Sequence, residues 1–207
     1  EPKLRADASA LIERIVDSGE CEFNRSFAIP LPCQDFLHLM GLPAEELDLL
    51  LELKDGIIRP HLQTDDPDEA AKIRADTGQR IYAYFDRLIG ERTNSSRDDL
   101  MGHLMRSELR GKKLSHNEIL DICYLFLLAG LDTVTAALGC NIAYLAANPE
   151  QRRGLVEDSG RMDSAVEELL RWETPVVAVP RVVKQDCELG GVAIKEGEMV
   201  MLLLGAA

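Results

Sequence analysis

The sequence predicts a mainly α fold with a small β region at its C-terminal end. In the first two-thirds of the chain, apolar residues recur at spacings of three and four, the period of amphipathic helices. After Pro175 the pattern changes to short β-branched segments that proline and glycine interrupt. The 207 residues, 46% of them hydrophobic, are enough to bury a sizeable core. We therefore predict a single domain over residues 1–207, helical to about residue 173 and β-rich from about residue 176.

Start and stop residues divide the N-terminal half of the chain into elements. Ser18-Gly19 and Gly41 stand where helices commonly end, and Pro43 stands where a helix commonly begins. The Ser/Asn-rich stretch Thr93–Ser96 is interpreted as a break between helices. The predicted elements are helices over residues 4–15, 33–40, 43–58, 68–92 and 100–109, with an extended segment over residues 21–31.

A long central helix follows. Ser115 precedes Glu118 by three residues, which is the capping-box pattern of a helix start. We predict that this helix runs unbroken to Ala147, which at about 30 residues is long enough to cross a domain. Its longest apolar run, Ile122–Leu131, is only about half of the roughly 20 residues that a membrane span needs. The pattern therefore favours a buried helix.

Further turn signals order the C-terminal part. Asn148-Pro149-Glu150 combines a capping residue, a proline at the first helical position and an acidic first turn. Pro175 follows the next predicted helix, over residues 163–172. Extended segments over residues 176–183, 188–194 and 198–204 make up the small β region, and Gly190-Gly191 predicts a turn within the second of them.

Charge and cysteine content exclude several classes of protein. The formal net charge of −13 argues against a sequence-independent nucleic-acid binder, which needs Lys and Arg to displace counterions from phosphates. Five cysteines without a CxxC or Cys/His cluster indicate neither a disulfide framework nor a zinc site. Because no secretory signal or membrane anchor is visible, we expect a cytoplasmic protein with reduced thiols.

The segment Ala129–Thr133, in the middle of the long helix, is the first candidate site. Burying Asp132 in an otherwise apolar stretch is costly without a partner. Thr133 lies one turn after Ala129, so its hydroxyl can reach the Ala129 carbonyl and loosen the helical hydrogen-bond ladder. Ala129 and Gly130 leave the helix nearly bare, so that a flat ligand could approach it. The alternative is structural: Gly130 allows a close helix crossing, and Asp132 caps a neighbouring element or faces water.

The second candidate is a pair of charges on a later helix. Glu168 and Arg171 are three residues apart and share one helix face, which by itself indicates an ordinary surface ion pair. The order of the motifs is more informative. The segment around Asp132 is followed by Glu-Leu-Leu-Arg, then Pro175, then Pro180-Arg181, then a Gly-Gly hairpin and an extended apolar strand.

Taken together, these motifs resemble the cytochrome P450 family of haem-thiolate monooxygenases, above all its soluble bacterial members. The resemblance extends over the whole chain. Phe36-Leu37 and Leu39–Pro43 resemble the family's fifth helix and the Gly-Leu-Pro that opens its sixth, and residues 189–198 resemble its late β-hairpin. The resemblance implies the central part of the cytochrome P450 fold, with a long central helix, surrounding helices, and a C-terminal β-hairpin and strands.

The resemblance also implies roles at the haem. Ala129, Gly130 and Thr133 would lie against the distal face of the haem, and Arg181 would bind a haem propionate through its fork of donors. Asp132 and Thr133 would be the catalytic acid-alcohol pair that delivers protons during dioxygen activation. An apolar wall with one hydroxyl and one carboxylate suits that chemistry, because stray water must be excluded.

Around the haem, the resemblance implies supporting roles. Glu168 and Arg171 would be the buried structural ion pair of the family, and residues 36–60 with the polar connector after them would form a mobile lid. The substrate pocket would be lined by Val176, Val177, Ala178 and Val179.

The implied activity is that of a monooxygenase with haem b, which activates O2 and hydroxylates a small, mainly apolar organic substrate. Electrons would come from NAD(P)H, indirectly, through a reductase and a ferredoxin or flavodoxin type donor. No nucleic-acid partner is expected.

The sequence departs from the family at the metal ligand. The family's haem-ligating cysteine lies in a Phe-x-x-Gly-x-x-x-Cys-x-Gly loop, and no cysteine of this chain has that context, so no metal ligand is expected here. We therefore expect an internal fragment that lacks the N- and C-terminal parts of the parent domain and is not competent alone. Two alternatives stay open: a haem-less truncated homologue, and a non-catalytic helical module that binds a hydrophobic ligand or a partner helix.

Overall fold

A computed structural model describes residues 1–92 and 97–206. The predicted break at Thr93–Ser96 lies outside the described residues, as does Ala207. The described residues form two compact units, one up to Thr135 and one from Ala136 onward. The elements confirm a mainly α fold with a small β region. That the chain is a single domain stays a prediction.

The helices agree with the predicted order. Their bounds are α1 (Pro2–Val16), α2 (Pro30–Met40), α3 (Leu47–Ile58), α4 (Pro67–Arg92), α5 (Leu100–Arg106), α6 (His116–Gly130), α7 (Thr133–Ala147), α8 (Pro149–Glu157) and α9 (Met162–Trp172). The strands are β1 (Glu108–Leu109), β2 (Lys112–Lys113), β3 (Ala178–Val182), β4 (Cys187–Leu189), β5 (Val192–Ile194) and β6 (Met199–Leu203).

Two local predictions in the first unit are wrong. The predicted extended segment over residues 21–31 contains a helical turn, Asn24–Ala28, and the start of α2. The Glu22 carboxylate accepts the backbone N–H groups of Asn24 and Arg25 at 3.2 and 2.7 Å, which stabilises the beginning of that turn. The helix predicted over residues 100–109 ends at Arg106 and is followed by the β1–β2 hairpin.

The predicted unbroken central helix is also wrong. α6 ends at Gly130 and α7 begins at Thr133, and a turn at Leu131 and Asp132 separates them. The start of α6 follows the prediction, because Ser115 and Glu118 form a reciprocal capping box.

By length and composition, the stretch His116–Ala147 is apolar enough to cross a membrane, with a mean hydropathy of 1.7 in its most apolar window. The core helix of a globular protein passes the same test. α6 supplies such core residues in the first unit, with Cys123 and Leu127 fully buried.

α2, α3, α4 and α6 surround the core of the first unit. Its largest fully buried side chains include Met40, Leu50, Phe85 and Leu127, one from each of the four helices. These residues fall on the apolar stripes that the helical period predicts. The core thereby fixes the end of α6, where the candidate site begins.

A buried ion pair that the sequence does not indicate joins the end of α4 to the start of α5. Arg92 and Asp99 lie 3.2 Å apart, and each side chain is only 8% exposed. Arg92 also donates to the carbonyls of Met40 and Gly41 at 3.0 and 2.7 Å, which caps the C-terminus of α2. Gly41 has a φ of +65°, and a Cβ there would collide with the carboxylate of Asp99. Glycine is therefore required at this helix end.

The second unit consists of α8, α9, most of α7 and two small antiparallel sheets. β3 pairs with β6, with Pro180 opposite Met201, and β4 pairs with β5 through the predicted Gly190-Gly191 turn. Both glycines of that turn have positive φ values, 59° and 80°. Many apolar side chains of these strands are exposed, among them Met199 and Leu203.

Candidate active site

The break in the central helix is held by a side-chain hydrogen bond. The Thr133 hydroxyl donates to the Ala129 carbonyl at 3.0 Å, which confirms the contact predicted from their spacing. In a regular helix that carbonyl accepts the backbone N–H of residue 133, so the hydroxyl competes with the backbone ladder. The competition occurs where α6 gives way to α7.

The absence of a side chain at Gly130 allows α6 to pack closely against α2. A Cβ built at Gly130 would lie 2.7 Å from Cδ2 and 3.3 Å from Cε2 of Phe36, in α2. The ring of Phe36 therefore occupies the space that a side chain would need. This is the structural alternative left open by the sequence: the absent side chain makes room for Phe36, while the contact of Gly130 with a haem stays a prediction.

Asp132 is the centre of a partly buried ion cluster. Arg59 binds both carboxylate oxygens of Asp132, at 2.7 and 2.9 Å, and Lys54 donates to one of them at 3.3 Å. Asp55 also contacts both cations, Lys54 at 2.8 Å and Arg59 at 3.1 Å. The side chains of Lys54 and Asp132 are 8% and 19% exposed. The cluster supplies the partner that the buried carboxylate requires.

The cluster keeps Asp132 ionised. Burial opposes the charge of the carboxylate, but the hydrogen bonds from Arg59 and the charges of Lys54 and Arg59 outweigh it and lower the pKa of Asp132. Chiefly through its hydrogen bond with Asp132, the pKa of Arg59 is raised in turn. In this arrangement Asp132 bonds to α3 and its C-cap, while Thr133 bonds to Ala129.

One face of α6, continued by the first residue of α7, is largely exposed to solvent. Leu125 is 62% exposed, Ala129 one turn later is exposed, and Thr133 one turn further is half-buried. This stripe is apolar, with the small Ala129 at its centre, and it ends in the Thr133 hydroxyl. The face of a flat apolar macrocycle would pack against these groups. Ala129 and Thr133 therefore fit the predicted role beside a haem, whereas the side-chain position of Gly130 is filled by Phe36.

Glu168 and Arg171, in α9 of the second unit, form the predicted ion pair, but it is not buried. Two hydrogen bonds of 2.7 Å join the guanidinium to the carboxylate, and the side chains are 61% and 59% exposed. The pair is exposed because no described segment of the chain packs over this face of α9. The hydrogen bonds with Arg171 lower the pKa of Glu168.

Arg181 and the valine-rich segment also lie in the second unit. Arg181 is exposed on β3 and donates to the Pro180 carbonyl at 2.8 Å. Among the described residues it has no carboxylate partner, so its guanidinium is available to an anion. The predicted pocket segment is half-buried to exposed, with Val177 the most open at 65%.

The cysteines are divided between core and surface. Cys33 and Cys123 are buried in the first unit, where burial raises the pKa of each thiol to about 11. Cys21, Cys140 and Cys187 are exposed. No group of three or more His, Cys, Asp or Glu side chains that could hold a metal ion occurs within residues 1–92 and 97–206.

The sequence model described as "Cytochrome P450" matches residues 46–207 of the chain. The chain belongs to the cytochrome P450 family.

Among curated proteins, this cytochrome P450 chain is 34% identical to the probable cytochrome P450 127A1 of Sinorhizobium fredii, over 97% of the chain and 46% of that protein. It is 32% identical to the vitamin D(3) 25-hydroxylase of Pseudonocardia autotrophica, over 100% of the chain and 50% of that protein. Among solved structures, P450BioI in complex with an acyl carrier protein superposes with a TM-score of 0.85 and 29% identity, covering 99% of the chain and 53% of that structure. The chain thus spans about half the length of the relatives it matches.

The sequence missed Phe36, Lys54 and Arg59. Each lies at least 70 positions before the Ala129–Thr133 segment, so no local spacing connects them. One signal was present: Lys54 lies one turn after Leu50 on the apolar stripe of α3, where an unpaired cation would be costly. A buried cation in one segment and a buried carboxylate in another each require a partner, which predicts that the two form a pair.

Proposed function

We propose that this chain is the central, distal-side part of a cytochrome P450 monooxygenase that hydroxylates a mainly apolar organic substrate. The observation on which the proposal rests is the broken helix at Leu131-Asp132, where the hydroxyl of Thr133 and the ionised Asp132 are each held by a named partner. The vitamin D(3) 25-hydroxylase and a Mycobacterium tuberculosis protein named steroid C26-monooxygenase support hydroxylation as the reaction class.

Haem b is the proposed cofactor. Ala129 and Thr133 would lie against its face, because they belong to the exposed stripe at the end of α6 and the start of α7. Arg181 would bind a propionate, because its guanidinium has no carboxylate partner among the described residues. When bound, the haem supplies the iron at which dioxygen is activated. Its thiolate ligand would come from outside this chain, since none of the five cysteines lies in the family's Phe-x-x-Gly-x-x-x-Cys-x-Gly context.

Thr133 and Asp132 are the proposed catalytic pair. The Thr133 hydroxyl would hold a proton at Oγ1, since it already donates to the Ala129 carbonyl from a position that is half-buried. Asp132 would exchange protons with solvent, because its side chain is 19% exposed. Its present bonds to Lys54 and Arg59 keep it ionised, so proton uptake requires at least one of those bonds to open.

The remaining predicted residues would have supporting roles. Glu168 and Arg171 would stabilise the haem-binding part of the fold, and their preformed bidentate pair supports this. The apolar residues 176–179 would line the substrate pocket beside the haem, for which their partial exposure leaves room. α3, whose C-terminal end binds Asp132, would belong to the lid over that pocket.

Electrons would come from NAD(P)H through a reductase and a ferredoxin or flavodoxin type donor, in the cytoplasm. The substrate would be a small, mainly apolar molecule. Membership of the cytochrome P450 family supports an external electron donor. The exposed apolar stripe supports an apolar substrate.

The test uses the full-length enzyme. We expect it to show the red-shifted Soret band of a thiolate haem when reduced under carbon monoxide. We expect Thr133→Ala to keep consuming NAD(P)H while releasing hydrogen peroxide instead of hydroxylated product. Thr135→Ala is the matched control, because the Thr135 hydroxyl has no hydrogen-bond partner within the part of the chain that the structure describes.

Absence of the Soret band would favour the haem-less homologue or the non-catalytic helical module. Normal coupling in Thr133→Ala, or equal uncoupling in Thr135→Ala, would remove the role proposed for Thr133.

A further inference from the structure

Phe36 and Gly130 are fitted to each other. Phe36 is 6% exposed in the core of the first unit, and a Cβ at Gly130 would lie 2.7 Å from its ring. Real Cβ contacts are essentially never below 3.0 Å, so any side chain at position 130 must displace the ring. The ring is therefore seated directly on the backbone at the last residue of α6.

This contact lies beside the turn that breaks the helix. Leu131, the next residue, is 1% exposed and belongs to the same core as Phe36. Asp132 is held through its side chain by Lys54 and Arg59, and Thr133 bonds back to Ala129. An ion pair made by the Asp132 side chain still allows the backbone before Asp132 to shift. A ring packed directly on that backbone does not allow such a shift.

We propose that Phe36 is a positioning residue for the turn at Leu131 and Asp132, which carries the proposed catalytic pair. By packing on Gly130 it fixes the backbone that directs the Ala129 carbonyl and the Thr133 hydroxyl, without touching substrate or cofactor. The inference rests on the proposed function, because the role of Thr133 in coupling gives the positioning its chemical consequence. A displacement of about 1 Å at a catalytic group can cost roughly 100-fold in rate.

The first experiment measures the contact itself in the unfolding of the full-length protein by urea. The variants are Phe36→Leu, Gly130→Ala and the double variant. Leucine frees part of the space that a Cβ at 130 needs, so the double variant should be more stable than the sum of the single losses predicts. Strict additivity would overturn the proposal, because it would mean that the two positions do not interact.

The second experiment measures coupling, the ratio of hydroxylated product to NAD(P)H consumed. We expect about a three- to tenfold fall in Phe36→Leu and in Gly130→Ala, with partial recovery in the double variant. Phe85→Leu is the matched control, because Phe85 is a fully buried phenylalanine of the same core that belongs to α4. It should lower stability but leave the ratio unchanged, which separates positioning from mere loss of packing.

Thr133→Ala is carried through the same assay to separate the two proposals. If it uncouples the enzyme while Phe36→Leu keeps the wild-type ratio, the positioning role is overturned and the proposed function stands. An equal fall in Phe85→Leu would also overturn the positioning role. If Thr133→Ala stays coupled, the proposed function of Thr133 fails and the positioning role fails with it, whatever the unfolding data show for packing.

Discussion

Replacing the two cations of the Asp132 cluster one at a time separates hydrogen-bond geometry from burial. Arg59 binds both carboxylate oxygens at 2.7 and 2.9 Å although its side chain is 34% exposed. Lys54 makes one hydrogen bond to Asp132 at 3.3 Å, contacts Asp55 at 2.8 Å, and is only 8% exposed. We expect Arg59→Met to destabilise the protein more than Lys54→Met does.

The magnitudes follow from these contacts. A hydrogen bond to a charged group contributes about 1.5–3 kcal/mol when shielded from solvent, so two such bonds, discounted for the exposure of Arg59, give a loss of about 2 kcal/mol. Lys54→Met removes one long hydrogen bond to Asp132 and an ion pair with the more exposed Asp55, while Arg59 still pairs with both carboxylates, so the loss should be about 0–1 kcal/mol.

The assay is the free energy of unfolding from urea titration. Because the pKa of Asp132 is lowered in the folded state, its stabilisation is present above the ordinary value of 3.8 and is lost as the pH falls through the folded-state value. The difference between wild type and Arg59→Met should therefore be full near neutral pH and shrink only below about 3.8. Lys72→Met, at an exposed Lys72–Glu69 pair, is the control and should cost almost nothing. A larger loss in Lys54→Met than in Arg59→Met would refute the reasoning, because burial would then outweigh geometry.

Two further predictions concern the core of the first unit. Arg92→Met should lower the free energy of unfolding by about 3 kcal/mol, because it leaves the buried Asp99 with only Arg97 and uncaps α2; a loss below about 1 kcal/mol in urea titration would contradict this. Because burial raises the pKa of Cys33 and Cys123 to about 11, both thiols should stay protonated and unreactive near pH 8, so among the cysteines of residues 1–207 a thiol reagent should label only Cys21, Cys140 and Cys187 until denaturant is added. Rapid labelling of Cys33 or Cys123 in the native protein, located by peptide mass spectrometry, would contradict it.

Much of the fold was predictable because the deciding interactions are local. The capping box of Ser115 and Glu118 and the stop at Gly41 each depend on residues within one turn of the chain, and both occur as predicted. The extended segment over residues 21–31 was mispredicted because the Glu22 side chain, not the apolar period, starts the helical turn there.

The candidate site was predictable only in part. The spacing of Ala129 and Thr133 indicated the hydrogen bond that the structure contains. The spacing of Glu168 and Arg171 by itself indicated the exposed surface pair that occurs, whereas the burial implied by the family resemblance depends on a covering segment, which a spacing of three does not specify.

The sequence by itself therefore determined the family, the order of the helices and the residues of the broken-helix segment, because each is encoded in local spacing and in the order of motifs. Only the tertiary structure decided how that segment is held. Lys54 and Arg59 reach Asp132 across 78 and 73 residues, and Phe36 fills the space beside Gly130 from another helix. Such contacts depend on how helices pack against one another, and the period of a single helix carries no information about the side chain that faces it.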